Sequence, residues 1–247
     1  MTDLTIIYYT SNYLDDKNPE FLVNTKKQLL KAADGLPIIS VSHKPIELGT
    51  NICVGDIGRH HLNIYKQILI GCKAATTKYV AMAEDDILYS YEHFHSPEIE
   101  KEFGKQGDVF LYDMLKVSLF TWTNPPLFSF RTKRRVVNQL IAPRQLLIDS
   151  LEERFTHVEK LQKKMPLEEI IKYWCDPGRN ERSLGVTVRP SAEFYSNQPS
   201  IVFTHPLAYG YLNHGKRKRL GDLRIVELYQ WGKASDILKL WGDSPKE

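Results

Sequence analysis

Apolar runs and amphipathic segments alternate along the first half of the chain. Apolar, β-branched and aromatic residues dominate the runs 4–10, 37–42 and 78–83, which predicts three strands. Residues 21–33 and 60–75 carry apolar side chains at the three- and four-residue spacing of amphipathic helices. Strands and helices in this order are typical of a parallel sheet with crossover helices. We therefore expect an α/β fold of the Rossmann type, with a mostly parallel central sheet flanked by helices.

The second half of the chain is less regular but predicts further elements. Strands are expected within residues 108–114, 117–122, 128–141, 185–190 and 200–206, and helices are expected to begin at Pro143 and Pro166. The spacing of apolar residues in 223–242 predicts an amphipathic C-terminal helix or pair of helices, packed on the core through Trp231 and Trp241. No repeat and no Pro/Gly/Ser-rich linker interrupts the 247 residues. We therefore expect a single domain, 1–247, with a helical C-terminal tail.

Composition narrows the class of protein. Hydrophobic residues make up 42% of the chain and charged residues 26%, which is ordinary for a globular protein. No apolar stretch approaches the ~20 residues needed to cross a bilayer, and the N-terminus lacks the features of a signal peptide. The three cysteines form no CxxC pair, which is typical of reduced thiols. We therefore expect a cytoplasmic location.

The net charge of +3 conceals an asymmetry between the two halves. Residues 1–105 contain 11 Lys and Arg against 14 Asp and Glu, and residues 106–247 contain 22 against 16, so the net charges are −3 and +6. The basic half includes two clusters, at 131–135 and 216–219. Such clusters suit phosphate in a nucleotide or a nucleic-acid backbone, and a solvated surface is the alternative interpretation.

Three consecutive acids interrupt the apolar run at the end of the third predicted strand. Glu84, Asp85 and Asp86 repel one another, so a buried strand does not acquire them for stability. Ligands of open α/β sheets collect at the carboxyl ends of strands, where these acids and the segment Thr10-Ser11-Asn12 both fall. Carboxylates at such a position suit Mg²⁺ or Mn²⁺, and the alternative is a surface turn that caps the next helix. We expect a divalent metal site.

The segment 58–89, GRHHLNIYKQILIGCKAATTKYVAMAEDDILY, resembles the nucleotide-sugar glycosyltransferases of the GT-A fold. That family places a helix with Asn or Arg near its start before a strand that ends in a DxD or xDD motif. The resemblance implies that Asp86 binds the divalent ion joining the donor diphosphate and that Asp85 or Glu84 lies near the donor ribose or sugar. Glu84 is also a candidate metal ligand, although many members of the family carry Asp at this position.

The same resemblance assigns further residues of the donor site. It implies that Thr10, Ser11, Asn12 and Arg59 bind the nucleotide, and that residues 136–151 wall the sugar pocket. The stretches SIVFTHP and YLNHGKRKR resemble the late strand and histidine that complete the metal site, which nominates His205 and, as the alternative, His214. The basic residues that would neutralise the donor diphosphate are Lys216, Arg217, Lys218 and Arg219.

The catalytic base and the acceptor are less constrained by the sequence. PLEEIIKYW resembles the helix that carries the base of inverting enzymes, so Glu168 and Glu169 are candidates, with Asp176 as their competitor. The half of the chain expected to bind the acceptor contains aromatic residues close to four basic ones, Arg131, Lys133, Arg134 and Arg135. This combination suits a nucleic acid, with a nucleobase stacked on an aromatic side chain and the backbone phosphates bound by the basic residues.

We therefore expect an enzyme, a metal-dependent glycosyltransferase. This combination of features resembles phage enzymes that glycosylate hydroxymethylated pyrimidines in double-stranded DNA, which would act in the host cytoplasm. The alternatives are a transferase of bacterial surface glycans, a metal-dependent nucleic-acid-binding protein and a non-catalytic module of the same fold. In this scheme residues 1–105 bind the nucleotide sugar, 106–206 bind the acceptor, and 207–247 form a basic loop and the C-terminal helix.

Overall fold

The computed structural model describes residues 3–130, 135–171, 174, 176–179, 181–208 and 223–242. The strands in chain order are β1 (Leu4–Thr10), β2 (Ile38–Ser42), β3 (Thr50–Cys53), β4 (Tyr79–Glu84), β5 (Ile87–Leu88), β6 (Phe110–Asp113), β7 (Lys116–Phe120), β8 (Phe128–Phe130), β9 (Leu140–Pro143), β10 (Ser191–Phe194), β11 (Ser200–Thr204), β12 (Arg224–Ile225), β13 (Glu227–Leu228) and β14 (Gly232–Lys233). The helices are α1 (Tyr13–Lys17), α2 (Pro19–Ala33), α3 (His61–Ala74), α4 (Tyr91–His95), α5 (Pro97–Gln106), α6 (Arg144–Gln162), α7 (Leu167–Ile171), α8 (Glu181–Leu184) and α9 (Ala234–Leu238), with 3₁₀ turns at Val137–Gln139 and Lys239–Trp241.

The central sheet has seven strands in the order β10-β6-β9-β4-β1-β2-β3. Neighbouring strands are parallel except at β9, which is antiparallel to both β4 and β6. Side chains of β1 alternate between two buried faces: Ile6 packs with α2 and α5, while Ile7 packs with α3 and α6. The predicted α/β class, with a mostly parallel central sheet flanked by helices, is confirmed.

A second sheet has five strands in the order β12-β8-β7-β11-β5. β5 follows the end of β4 directly and pairs antiparallel with β11, so the chain passes from one sheet to the other at the acidic segment. Leu119 and Phe203 lie on an apolar face of this sheet, which packs against Phe21 of α2 and Trp241. No helix in the described part of the chain has the length and apolar character needed to cross a membrane.

Local sequence explains how α3 reaches the central sheet. The His60 side chain accepts a hydrogen bond from the backbone N–H of Leu62 and so caps the N-terminus of α3. Later in the helix, a Cβ atom at Gly71 would lie 2.5 Å from Cγ2 of Ile7, closer than two carbon atoms can approach. A glycine is therefore required for α3 to pack this tightly on β1, which places the start of α3 above the carboxyl end of the strand.

Two predicted elements differ in the structure. Residues 185–190 are not a strand, because the backbone N–H groups of Thr187 and Arg189 donate to the carboxylates of Glu153 and Glu181 instead of to a neighbouring strand. The first part of 223–242 forms β12, β13 and β14, and helix begins only at Ala234. Gly232, with φ of +79°, has a backbone conformation that a continuous helix does not allow.

A buried ion pair fixes the chain between α6 and β10. Arg154 of α6 and Glu181 of α8 are 0% and 1% exposed, and Arg154 Nη2 lies 2.9 Å from Glu181 Oε1. The Glu181 carboxylate also accepts hydrogen bonds from the backbone N–H groups of Gly178 and Arg189. Arg154 Nη2 donates to the carbonyl oxygen of Asp176 over 3.5 Å. The pair thus satisfies backbone groups of an irregular segment that would otherwise be buried without partners.

We predict that Arg154→Met strongly destabilises the protein. The substitution leaves the Glu181 carboxylate buried without its cation, which typically costs about 3–5 kcal/mol of unfolding free energy. Urea denaturation followed by circular dichroism measures the change. Lys73→Met is the matched control, because Lys73 and Glu152 are 53% and 48% exposed and their pair should contribute less than about 1 kcal/mol. Equal effects of the two substitutions would contradict this account of the buried pair.

Candidate active site

The carboxyl ends of three parallel strands meet at one edge of the central sheet. β2, β1 and β4 lie side by side and end at Ser42, Thr10 and Glu84. The chain then turns through Asp85 and Asp86 into β5 of the second sheet. The acidic segment therefore lies where the two sheets adjoin.

Glu84 lies between two neutral hydrogen-bond donors. Tyr9 Oη donates to Glu84 Oε1 over 2.8 Å, and Asn138 Nδ2 donates to Oε2 over 2.6 Å. Burial, followed by the charge of Asp86, raises the pKa of Glu84 to about 8, although both hydrogen bonds act to lower it. Each oxygen of this carboxylate already has a protein partner.

Asp85 is bonded to the loop that follows β1. Thr10 Oγ1 donates to Asp85 Oδ2 over 2.5 Å, and the same hydroxyl oxygen accepts from the backbone N–H of Asn12 over 2.9 Å. Burial and then the charge of Asp86 raise the pKa of Asp85 to about 6, against the hydrogen bond from Thr10. The acidic turn and the loop after β1 are thus held as one unit.

Asp86 and His205 approach each other across the junction of the two sheets. The backbone N–H of Phe203 donates to the carbonyl oxygen of Asp86 over 2.9 Å, and this places His205 Nε2 at 3.4 Å from Asp86 Oδ2. His205 is only 2% exposed, and its ring centroid lies 4.6 Å from that of Trp241. Among the described residues, Asp86 Oδ1 and both ring nitrogens of His205 are buried without a hydrogen-bond partner. Such atoms usually bond a ligand, an ion or water.

The residues at this junction fit an ion that shares its coordination with a substrate. Asp86 and His205 could supply two ligands, while both Glu84 oxygens are bonded elsewhere and His214 lies outside the described residues. Within the described ranges, no group of three His, Cys, Asp or Glu side chains is arranged to hold a metal. Mg²⁺ is commonly held by one or two carboxylates together with substrate phosphates and water. These two side chains therefore fit an open metal site, in which a substrate supplies further ligands, and not a closed structural metal site.

A cavity of about 380 Å³ lies over this edge of the sheet. All three acids line it, as do His205 and two of the predicted nucleotide-binding residues, Thr10 and Ser11. Asn12 does not line it. Its buried side chain accepts from the backbone N–H of Lys44 over 2.8 Å and fixes the chain after β2, so Asn12 shapes the edge of the cavity without facing it.

Arg59 connects three parts of the cavity wall. Its guanidinium carbon lies 3.6 Å from the centroid of the Tyr13 ring, and Nη2 donates to the carbonyl oxygen of Leu207 over 2.9 Å. Arg59 immediately precedes the His60 cap of α3, so its position follows from the start of that helix. A cation thus lies in the same cavity as the acids.

Of the three predicted bases, Asp176 is the one that lines the cavity. Tyr65 Oη donates to Asp176 Oδ1 over 2.5 Å, and Arg179 Nη1 lies 2.9 Å from Oδ2. Glu168 and Glu169 are exposed on α7 and do not line the cavity. Asp176 reaches the cavity because the buried pair of Arg154 and Glu181 fixes the irregular segment that contains it. This segment lies against Tyr65 of α3.

The predicted phosphate-binding residues lie mostly outside the described ranges. These are Arg131, Lys133, Arg134, Lys216, Arg217, Lys218 and Arg219. Arg135 is described, and its guanidinium is engaged within the protein: Nε lies 2.8 Å from Glu193 Oε1 and Nη1 donates to Ser191 Oγ over 2.5 Å. Its charge is therefore largely compensated by an acid of β10.

Several residues of the cavity were missed by the sequence analysis. Tyr9, Tyr65, Lys116 and Asn138 all line it, and Lys116 is only 7% exposed. Tyr9 lies in a predicted strand and Lys116 directly before one. A polar side chain beside apolar ones was the feature that could have identified each as a site residue. Asn138 lies in the segment 136–151 that the resemblance assigned to the sugar pocket, but nothing in the sequence distinguished it from its neighbours. Its position depends on β9 pairing with β4, which is remote in sequence.

No family model matches the chain, and comparison with curated proteins finds no match. Solved structures show distant similarity. The crystal structure of S. aureus TarS 1-349 has 11% sequence identity and a TM-score of 0.46, with 81% of this chain and 60% of that chain covered. The TarS 1-349 complex with UDP has 12% identity and a TM-score of 0.45, with 83% and 61% covered.

A third similar structure is 2-C-methyl-D-erythritol 4-phosphate cytidylyltransferase from Thermus thermophilus. It has 10% identity and a TM-score of 0.47, with 83% of this chain and 94% of that chain covered. The chain thus spans about three-fifths of the TarS fragment and most of the cytidylyltransferase. At these identities and scores the matches assign the chain to no family, and the function has to be argued from its own site.

We predict that the stability of the ligand-free protein falls as pH rises from about 5 to about 8. An unfolded glutamate ionises near pH 4.3, whereas burial raises the pKa of Glu84 to about 8. Between those values the folded state holds an extra proton, so raising the pH favours the unfolded state, and the loss levels off above the folded pKa. Thermal unfolding from pH 5 to pH 9 measures it.

The comparison is with Glu84→Gln, which lacks the titrating group and should show a flatter pH dependence. Glu159→Gln, on the exposed face of α6, is the matched control and should keep the wild-type dependence. Parallel curves for all three proteins would contradict the assignment to Glu84.

Proposed function

We propose that the protein is a metal-dependent glycosyltransferase that moves a sugar from a nucleotide-sugar donor to a hydroxyl of an acceptor. The observation that carries the proposal is the pairing of Asp86 with His205, at 3.4 Å, inside a cavity at the carboxyl ends of parallel strands. Asp86 Oδ1 and the ring nitrogens of His205 are buried without a hydrogen-bond partner among the described residues, which suits an ion whose coordination a substrate completes. The GT-A resemblance of residues 58–89 supports the same interpretation.

The divalent ion in this proposal is Mn²⁺ or Mg²⁺, held by Asp86 and His205. When bound, such an ion would neutralise the negative charge of a leaving diphosphate. Glu84 then has a positioning role, since its two oxygens are bonded to Tyr9 and Asn138. Asp85, tied to Thr10, would lie against the nucleotide.

Nucleotide binding is proposed at the end of the cavity nearest β1 and α3. Thr10 and Ser11 supply small polar groups there, and Arg59 supplies a cation that could turn from the Leu207 carbonyl towards phosphate. Residues 216–218, outside the described ranges, remain candidates for the same diphosphate. In this scheme 1–105 is the nucleotide-sugar half and 106–206 the acceptor half of one domain in a cytoplasmic protein, and residues 207–247 are its basic C-terminal part.

Asp176 is our proposed catalytic base. A carboxylate inside the cavity can accept the proton of an acceptor hydroxyl as that oxygen attacks the sugar. Tyr65 and Arg179 hold the Asp176 side chain in place. The exposed positions of Glu168 and Glu169 make them weaker candidates for this role.

We predict that nucleotide-sugar binding depends on a divalent cation and on Asp86. Purified protein is screened by thermal shift against UDP-, GDP- and dTDP-sugars, with Mn²⁺ or with EDTA. The wild type should be stabilised by at least one donor only when Mn²⁺ is present, and Asp86→Asn should lose this shift while its own melting temperature stays close to that of the wild type. Asp16→Asn, on an exposed acid of α1, is the matched control. A full donor shift in EDTA would contradict the metal assignment.

For the acceptor we propose double-stranded DNA that contains hydroxymethylated pyrimidines. The support is the net charge of +6 in residues 106–247 together with Trp122, an aromatic side chain that is 44% exposed at the end of β7. The buried positions of Phe120 and Phe128 place those two aromatic residues in the core instead.

We predict that hydroxymethylated duplex DNA becomes glycosylated when incubated with the protein, Mn²⁺ and mixed nucleotide sugars. Mass spectrometry of the released nucleosides should show a hydroxymethylpyrimidine with the added mass of one sugar, and unmodified DNA is the control. Turnover of the donor on added glycans but not on this DNA would contradict the DNA acceptor and favour surface-glycan synthesis.

A further inference from the structure

Three cavity-lining side chains form a row across neighbouring strands. Tyr9 of β1 is in register with Glu84 of β4, and Asn138 lies two residues before β9, which pairs with β4 on the other side. Glu84 joins the two outer residues, since it accepts from Tyr9 Oη and from Asn138 Nδ2. The row lies at the end of the sheet face that α3 and α6 cover.

The backbone of Asn138 is fixed as firmly as its side chain. Its carbonyl oxygen accepts from Tyr89 Oη and from Gln139 Nε2, each over 3.0 Å. Tyr89 Oη in turn accepts from the backbone N–H of Glu84 over 3.1 Å. Asn138 is therefore attached to the acidic turn at two points, one through its side chain and one through Tyr89.

The bond to Glu84 shows which end of the Asn138 amide remains for a ligand. Asn138 Nδ2 donates to Glu84 Oε2, so the Oδ1 acceptor of the same amide faces away from Glu84. Oδ1 is buried and has no hydrogen-bond partner among the described residues. A buried acceptor without a partner is unfavourable, so this atom suits a ligand that supplies a donor.

The neighbourhood of Oδ1 indicates which donor it would receive. Asn138 lies beside Glu84, and Glu84 is two residues from Asp86, the proposed ligand of the ion. In a bound donor the sugar is attached to the diphosphate at this ion, so Asn138 is adjacent to the proposed position of the sugar. Both oxygens of Glu84 are bonded to protein donors, so Asn138 Oδ1 is the acceptor that this row leaves for a ligand. Such an acceptor suits a hydroxyl group of a sugar ring.

We propose that Asn138, oriented by Glu84, is a specificity-determining residue that accepts a hydrogen bond from a hydroxyl of the donor sugar. The inference rests on the proposed glycosyltransferase function, and it adds that selection among donors depends on this hydroxyl. A site built to bond a hydroxyl rejects the deoxy analogue, because the buried acceptor is then left unpaired.

The test compares binding of a nucleoside diphosphate with binding of the complete donor. Calorimetry with Mn²⁺ measures the Kd values of UDP, UDP-glucose and the four monodeoxy or monofluoro UDP-glucose analogues, and of GDP and GDP-mannose with their analogues. Wild type should discriminate against one analogue by roughly tenfold, as expected for one hydrogen bond. In Asn138→Ala that discrimination should disappear, while the Kd of the nucleoside diphosphate changes less than about twofold.

Asn24→Ala is the matched control, because Asn24 is a half-buried amide of α2 that donates to the Leu240 carbonyl away from the cavity. It should keep the wild-type discrimination. If Asn138→Ala does not fold, Asn138→Ser, whose shorter side chain has no acceptor at the position of Oδ1, is measured in its place with the same expected loss. Intact nucleotide binding with unchanged discrimination in the variants would overturn the role of Asn138 and leave the glycosyltransferase proposal standing. Absence of any nucleotide or donor binding by the wild type would overturn the proposed function, and the inference with it.

Discussion

The partial burial of three adjacent carboxylates at the end of β4 is the constraint on which the rest of the site depends. An ionised carboxylate is costly to bury unless donors or a cation compensate its charge. Neutral side chains donate to Glu84 and to Asp85, and burial still raises the pKa of both. Asp86 has the least compensation, with His205 at 3.4 Å and Oδ1 unpartnered among the described residues. A bound cation and a substrate would supply the positive charge and the partner for Asp86 Oδ1 that the described residues do not.

The junction of the two sheets decides where this charge lies. β4 belongs to the central sheet and β5 to the second, so the acidic segment is the link between them. β11, paired with β5, then brings His205 from a distant part of the sequence to Asp86. Alternation along β7 gives the second sheet one face for the apolar core, with Leu119, and one for the cavity, with Lys116 and Ser118. The cavity is therefore bounded by both sheets.

The same requirement for polar compensation governs the segment that carries Asp176. Residues 176–179 and 185–189 have irregular backbone, and the N–H groups of Gly178 and Arg189 bond to the buried carboxylate of Glu181 instead of to a strand. Arg154 balances that carboxylate. A pair of apolar side chains could fill the same space, but it could not bond the backbone on which the position of Asp176 depends. The ion pair thus links the packing of α6 to the geometry of the candidate site.

The sequence by itself determined the local elements and the chemistry at strand ends. The apolar pattern predicted β1, β2, β4, α2 and α3 within one or two residues, because the two helices are long and regularly amphipathic and the three strands are nearly continuous apolar runs. It also located the three acids, since recognising charged residues at the end of an apolar run requires no information about distant parts of the chain. Where periodicity was short, as in 185–190 and 223–233, side-chain carboxylates and a glycine turn prevailed over the apolar pattern.

Tertiary structure alone decided which of those polar residues meet. Asp86 and His205 are 119 residues apart in sequence, and their approach depends on the pairing of β11 with β5. Asn138 reaches Glu84 because β9 enters the sheet beside β4 in the reverse direction. Asp176 enters the cavity, while Glu168 and Glu169 stay outside it, because of a buried ion pair with no pattern in the sequence. Pairing between distant strands and compensation of buried charge are properties of the whole fold, so single-chain periodicity does not encode them.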